Sequence, residues 1–299
     1  MHRRTLIIDC DPGLDDAVAI ALAHSAPEIE LTAVTTVAGN AGIETVTRNA
    51  LGIVAALGGG VPVHRGCGQS LVLPPPRTSA ALWGGDGDLH LAARGKPDAE
   101  HAVTRLIRHI EASRRSGAAI VAIGPLTNLA VVLTMRPDLR SRIGVIVVMG
   151  GGIDHGNATP KAELNIWVDP HAAHSVFASG VPVVLAPLDI TEPLRVPPDV
   201  VAELAKSKAR PAKLVARLMP LAGLESHPAS IYDAATIAWL LWPDLFKAKP
   251  GRITVDLDPG ARLGQTTFKS STSGAHLLLT AVDQRRFFER FTAQLLDEA

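Results

Sequence analysis

The chain has 299 residues, 47% hydrophobic and 19% charged, long enough to bury a large core and too apolar to be disordered. Lys plus Arg equals Asp plus Glu at 29 each, so no overall field draws in a polyanion, and nucleic-acid binding by counterion release is not expected. Two cysteines, Cys10 and Cys67, are too few for a disulfide framework, and neither a signal peptide nor a membrane-length apolar run is evident, which points to the cytoplasm.

Leu6 to Ile8 is a short apolar run, read as a buried strand. It stops in Asp9, Asp11, Asp15 and Asp16. Pro12-Gly13 turns the chain between them, and Ala17, Ile20 and Ala21 give the next segment a helical apolar stripe. Ile29 to Ala38 is a second strand, ending at Gly39-Asn40 and followed by a helix to Leu57. Gly58-Gly59-Gly60 breaks that helix, and Val61 to His64 is a third strand. Leu73 to Arg77, with its run of prolines, is an extended surface loop leading into Trp83-Gly84-Gly85-Asp86-Gly87-Asp88. Asp98 to Arg115 is helical, Ala118 to Ile123 is a buried strand, and Gly124-Pro125 turns into a helix from Thr127 to Met135. Val145 to Met149 is another strand, closed by Gly150-Gly151-Gly152. Pro170 to Ala178 is a helix and Val181 to Ala186 a strand. Pro197 to Leu224 reads as two helices interrupted near Arg210-Pro211 and covering one edge of the site, and Tyr232 to Leu241 is helical. Arg252 to Asp258, Leu263 to Phe268 and Ala275 to Val282 are strand candidates before a last helix from Gln284.

Apolar strands alternating with helices predict one α/β domain spanning 1–299, an open, mainly parallel sheet with helices on both faces. The tail strands would add a small antiparallel extension. Such sheets place their sites at the carboxyl ends of strands. Four carboxylates at one strand-to-helix turn repel one another unless a cation sits among them, and all-oxygen donors favour a hard one, Ca²⁺ or Mg²⁺. The plain structural reading, helix capping, accounts for one or two of the four. Asn157, Glu163 and Asn165 form a set able to bind several hydroxyls, with loop self-bonding as the alternative. Asp233, opening the Tyr232-Asp233-Ala234-Ala235 helix, taken alone is read more readily as a cap than as a ligand.

DCDPGLDDA, IGPLTN, GNATPKAELNIWVDP and YDAAT, in that order, resemble the calcium-dependent inosine-uridine-preferring nucleoside hydrolase family. The resemblance implies a Rossmann-like sheet, usually in homodimers or homotetramers, acting on small ribonucleosides. It implies that Asp11, Asp16 and Asp233 hold Ca²⁺ with the carbonyl of Ile123, Asp11 being also the general base. Asp15, Asn40 and Asn165 would bind the ribose 2′- and 3′-hydroxyls, Asn157 and Glu163 the 5′-hydroxyl, and Met149 would pack by the sugar. The family's usual histidines are replaced by Tyr232 and Trp83, a pattern resembling its purine-preferring branch, where rings stack on the base. Tyr232 is alternatively a direct proton donor, and both rings alternatively fill core. His227 could reach the base, though a surface role is the plainer reading, and His90, His101, His109, His171 and His174 read as ordinary histidines. An Asp9-x-Asp11 phosphatase and a non-catalytic nucleoside sensor are the competing functions. The first would make Asp9 the nucleophile, and the second would keep binding without turnover.

Overall fold

The computed structural model describes residues 3–74, 86–113, 117–222 and 230–297. Nine strands form one sheet in the order β3-β2-β1-β4-β5-β6-β9-β7-β8. They are β1 (Arg4–Cys10), β2 (Ile29–Thr36), β3 (Val63–Arg65), β4 (Ala118–Ala122), β5 (Ile143–Met149), β6 (Val183–Ala186), β7 (Phe246–Val255), β8 (Thr266–Ser270) and β9 (His276–Val282). Pairing is parallel from β3 through β6 to β9, and β7 then pairs antiparallel with both β9 and β8, so the expected antiparallel extension is continuous with the main sheet. The chain winds outward from β1 in one direction and from β4 in the other. Their adjacent carboxyl ends therefore form a switch point, the crevice where open α/β sheets bind ligands.

Alternation along the strands feeds two cores. Leu6, Ile8 and Cys10 of β1 join one face and Ile7 the other, and all are fully buried. This is why the central strands read as unbroken apolar runs. The first face carries α1 (Leu14–Ser25) and α2 (Ile43–Ala56); the second carries α3 (Ala102–Ala112), α4 (Thr127–Met135) and, after the short α5 (Leu164–Val168), α6 (Pro170–Ala178). Beyond the one-turn α7 (Leu188–Thr191), the first face is completed by α8 (Pro198–Leu204), α9 (Arg210–Leu218), α10 (Ala234–Leu241) and α11 (Gln284–Leu296). No helix among the described residues is long and apolar enough to cross a membrane.

Three expectations shift. The helix expected from Asp98 begins at Ala102, because Asp98 N donates to the Val63 carbonyl (2.7 Å) and bridges to His64 at the sheet edge. The break between α8 and α9 falls before Arg210, and Pro211 sits in the first turn of α9, where a missing N–H costs nothing. These two helices pack on α1 and α11, and Arg217 of α9 reaches the His90 carbonyl on the cavity wall; Gly223 and Leu224, the end of the expected segment, lie outside the described residues. β7 starts at Phe246 and runs through Pro250, tolerated because β8 pairs only from Gly251 onward and leaves that half of β7 an edge.

Phe287, Phe288 and Phe291 knit α11 to this core, Phe287 and Phe291 stacked at 5.9 Å and Phe288 edge-on to Phe287 at 5.2 Å. Phe287 is fully buried. Replacing it with Ala should lower stability by about 3–5 kcal/mol, read as a shift in the urea midpoint at unchanged m-value.

Candidate functional site

The turn after β1 is held by the residue that ends it. Asp16 accepts from the backbone N–H of Asp11 (3.2 Å) and of Gly13 (2.8 Å), capping α1 from its first turn. Capping thus uses Asp16 but leaves the rest of the cluster unexplained. From β2, Asn40 N donates to Asp11 Oδ2 (2.6 Å), while its Nδ2 donates to the Asp11 carbonyl (3.1 Å) and reaches Asp16 Oδ2 (3.4 Å). Glycines on both sides admit this closeness. A β-carbon at Gly39 would collide with Asp11 Oδ2, and one at Gly124 would lie 2.8 Å from Asp11 Oδ1.

Carboxylate oxygens of Asp15, Asp16 and Asp233 lie within 4.8 Å of one another. Asp233 occupies the N-cap position of α10, yet its side chain makes no capping bond. The capping alternative for it therefore does not hold, and the carboxylate faces the other acids. Asp15, assigned to ribose from the sequence, is in this group, whereas Asp11 has one oxygen committed to Asn40 and the other, Oδ1, buried without a partner. Burial pushes Asp11, Asp16 and Asp233 well above the usual carboxylate range, with mutual repulsion adding to it, and pushes Asp15 up to about 6. Buried, crowded and incompletely partnered oxygens fit a hard dication, which would reverse these shifts. The Ile123 carbonyl at the end of β4 borders the same pocket and accepts one bond from Asn165 Nδ2 (3.0 Å), leaving its second lone pair.

Loop 150–165 supplies the neutral donors. Glu163 caps α5, its Oε1 accepting from Asn165 N (3.0 Å) and its Oε2 from the N–H of Gly151 (2.8 Å) and Ile166 (3.2 Å). Burial raises its pKa to about 7 against the pull of those bonds. Asn157 Oδ1 accepts from Leu164 N (2.9 Å). Self-bonding is therefore real for both, and it fixes side chains that still border the pocket. Asn165 gives both amide protons to carbonyls, of Ile123 and of Met149 (3.2 Å), so its oxygen remains to accept from a hydroxyl. Met149 closes this side at the end of β5.

Asp15, Asn40, Ile123, Met149, Asn157, Glu163, Asn165 and Asp233 line a cavity of about 770 Å³ together with a wall of Gly87 to His90, Ser230 and Tyr232, while Asp11 and Asp16 are fully buried and do not reach its surface. No Lys or Arg lines it among the described residues. Tyr232 is half-buried at the wall and packs partly on the core, and burial raises its phenol above the usual range. Trp83 and His227 lie outside the described residues. Two contributors escaped the sequence reading. His90 borders the pocket, and it alone among the described non-glycine residues has a left-handed backbone, φ +50°. Asn49, buried on α2, donates to the carbonyls of Pro12 (2.8 Å) and Gly87 (2.7 Å) and accepts from Leu89 N (3.1 Å), tying that wall to the acidic turn. Its spacing from Val46 and Ile53, three residues before and four after on the expected helix, was the available signal.

Asp9 Oδ1 accepts from Thr35 Oγ1 (2.7 Å) and Asn128 Nδ2 (2.8 Å), bonds that tie β1 to β2 and α4, while its Oδ2, like Asp11 Oδ1, is buried without a partner. With no Lys or Arg on the described cavity lining to meet a phosphate, the site does not favour the phosphatase arrangement.

The model of the family described as inosine-uridine preferring nucleoside hydrolase matches residues 6–289. A non-specific ribonucleoside hydrolase of Escherichia fergusonii is 37% identical over 258 residues, covering 85% of this chain and 84% of its own length. The inosine-uridine preferring nucleoside hydrolase of Crithidia fasciculata is 34% identical over 306 residues, covering 98% and 96%. Among solved structures, a purine-preferring ribonucleoside hydrolase from Gardnerella vaginalis superposes with a TM-score of 0.87 at 28% identity, over 98% of both chains.

Asp233→Asn separates charge from fold, because no capping bond is lost. In chelator the variant should melt at or above the wild-type temperature, one buried charge having been removed. With a divalent cation at about a hundred times its Kd, the wild type should gain about 2.7 kcal/mol and the variant much less, as read by thermal melts.

Proposed function

The chain belongs to the inosine-uridine preferring nucleoside hydrolase family and hydrolyses the N-glycosidic bond of ribonucleosides; from that premise we propose that calcium is its metal, that Asp11 is its general base, and that it favours purine nucleosides. The observation that carries the site assignment is the partnerless buried Oδ1 of Asp11 beside the Asp15, Asp16 and Asp233 cluster. Calcium is preferred to magnesium because several protein carboxylates and a carbonyl converge. Magnesium tends to keep its waters, whereas calcium accepts six to eight protein and substrate oxygens. Asp11, Asp16 and Asp233 with the Ile123 carbonyl would hold it, and Asp15 stands close enough to join them. Bound there, such an ion would supply a fixed position and a lowered pKa for the attacking water.

The chain's own residues do the rest. Asp15, Asn40 and Asn165 receive the ribose 2′- and 3′-hydroxyls, and Asn157 and Glu163 the 5′-hydroxyl, against Met149. Asp11 takes a proton from the water as it attacks C1′. As the glycosidic bond lengthens, positive charge grows on the ribose ring. The acid-rich floor stabilises that charge more than the neutral ground state, which is what acceleration requires. Purine preference is supported by Tyr232 on the far wall, whose ring face can stack on a base for about 0.5–1.5 kcal/mol beyond burial. Trp83 and, less directly, His227 are proposed to complete that wall. A broad or pyrimidine specificity is the alternative. All nine strands in one sheet support a single domain, the free cysteines support a cytoplasmic setting, and the family resemblance supports a homodimer or homotetramer.

Asp11→Ala should abolish hydrolysis of inosine and uridine alike, by at least about 10²–10⁴-fold in kcat, with a far-ultraviolet spectrum like the wild type's. Turnover near the wild-type level would dismiss Asp11 as the base. A calcium-supplemented panel of inosine, adenosine, guanosine, uridine and cytidine should rank purines first. Trp83→Ala should then lower purine rates selectively, whereas equal losses for all bases would show a general pocket role.

A further inference from the structure

We propose that His90 is the residue that hands a proton to the departing base, an inference that rests on the hydrolase reading above. The case begins with how the wall is built. Leu89 and Leu91 are buried in the core at 8% exposure each, while His90 between them turns outward with 72% of its side chain accessible and borders the substrate cavity. Three separate anchors hold that arrangement. Asn49 binds the Gly87 carbonyl and the Leu89 N–H; the Asp88 carboxylate accepts from His90 N (2.8 Å); and Arg217 reaches the His90 carbonyl (3.4 Å). Asp88 is itself fixed by Arg48, through Nε at 3.2 Å and Nη2 at 2.9 Å. So many anchors around one non-glycine residue at φ +50° mean that the fold insists on this side chain's direction. The imidazole Nδ1 lies 3.9 Å from Asp88 Oδ1, and Arg48, which holds Asp88, and Arg217 are the other charges on the turn.

Histidine is the side chain best able to give a proton near neutral pH. In the step, the imidazolium proton goes to a ring nitrogen of the base, and the C1′–N bond breaks with its electron pair leaving on the base. The water oxygen bonds to C1′ and its proton goes to Asp11. Exposure lets the imidazole regain a proton from solvent before the next turnover.

The test compares inosine with 4-nitrophenyl β-D-ribofuranoside, whose leaving group departs as a stable anion and needs no proton. His90→Asn suits it, because asparagine tolerates the left-handed conformation yet carries no acidic proton near neutrality. With calcium present, kcat/KM on inosine should fall by about 10²-fold or more, while the nitrophenyl riboside stays within about twofold. Equal loss on both substrates, or no loss on either, overturns the assignment. So does a selective inosine defect in Tyr232→Phe with His90→Asn unaffected, which gives the proton to the phenol instead. If the wild type turns over neither substrate, the hydrolase reading fails and takes this one with it.

Discussion

Everything in this molecule answers to one electrostatic problem: four aspartates brought together at the rim of the sheet, with Asp11, Asp16 and Asp233 buried. Two unit charges 4 Å apart at a protein-like dielectric repel by about 4 kcal/mol; carboxylate oxygens of Asp15, Asp16 and Asp233 lie within 4.8 Å of one another, and Asp16 and Asp15 both repel Asp11. The fold offers partial relief. Asp15 and Asp16 sit in the first turn of α1 and Asp233 at the start of α10, so two positive helix ends meet the cluster. Each helix end is worth only about 0.3–1 kcal/mol to a nearby anion, well short of the repulsion. Protonation can relieve the remainder, as the raised pKa values record, or a dication can. Only the second keeps Asp11 ionised at neutral pH and able to act as a base.

The polar braces around the cluster make it rigid rather than merely negative. Asn40 holds Asp11 from β2, Asn165 ties the end of β4 to the end of β5, and Asn49 locks the acidic turn to the far wall. Each joins segments far apart in sequence, and all are buried or nearly so, where an unmade hydrogen bond is costly. The end of the strand decides what each acid does. Asp9, still within β1, shares the face of Ile7, where Thr35 and Asn128 bind it and tie β1 to β2 and α4, while Asp11 lies just past the last residue of β1, in the turn that Asp16 and Asn40 hold. One strand end thus supplies both a structural acid and a chemical one.

Much of this was legible in the sequence, for identifiable reasons. The buried parallel strands write themselves as apolar runs, and the abrupt change at Asp9-Cys10-Asp11-Pro12-Gly13 marks the site because Asp15 and Asp16 follow at once, which the similar Asp256-Leu257-Asp258-Pro259-Gly260 lacks. Three-dimensional partnership was harder to read. Glu163 looks like a free carboxylate in sequence, yet it accepts three backbone N–H bonds made available only by the start of α5 and the fold of the glycine loop. Asn49 looks like a helix residue, and its role depends on Pro12 and Gly87 arriving from 37 and 38 positions away. His90 read as ordinary because a left-handed backbone has no signature in the residue type. Pro250 concealed the first half of β7, since its tolerance depends on which neighbour β8 leaves unpaired.

The two sides of the cavity are built in different ways, and that difference bears on how such enzymes diverge. In the proposed binding mode, ribose meets groups set at the ends of β1, β2, β4 and β5 and at the start of α5, where backbone and side-chain bonds leave little to reorganise when charge develops on the sugar. In that mode the base meets a wall made of two loops, 86–90 and 230–232, anchored by side-chain and backbone hydrogen bonds and by the buried Leu89 and Ile231. Substitution in loops costs little stability, whereas a change at a strand end would disturb the buried acids. A family can therefore keep one way of stabilising a cationic sugar while trading one leaving base for another. Tyr232 sits at that division, one residue before Asp233 of the acid cluster and itself part of the wall proposed to meet the base.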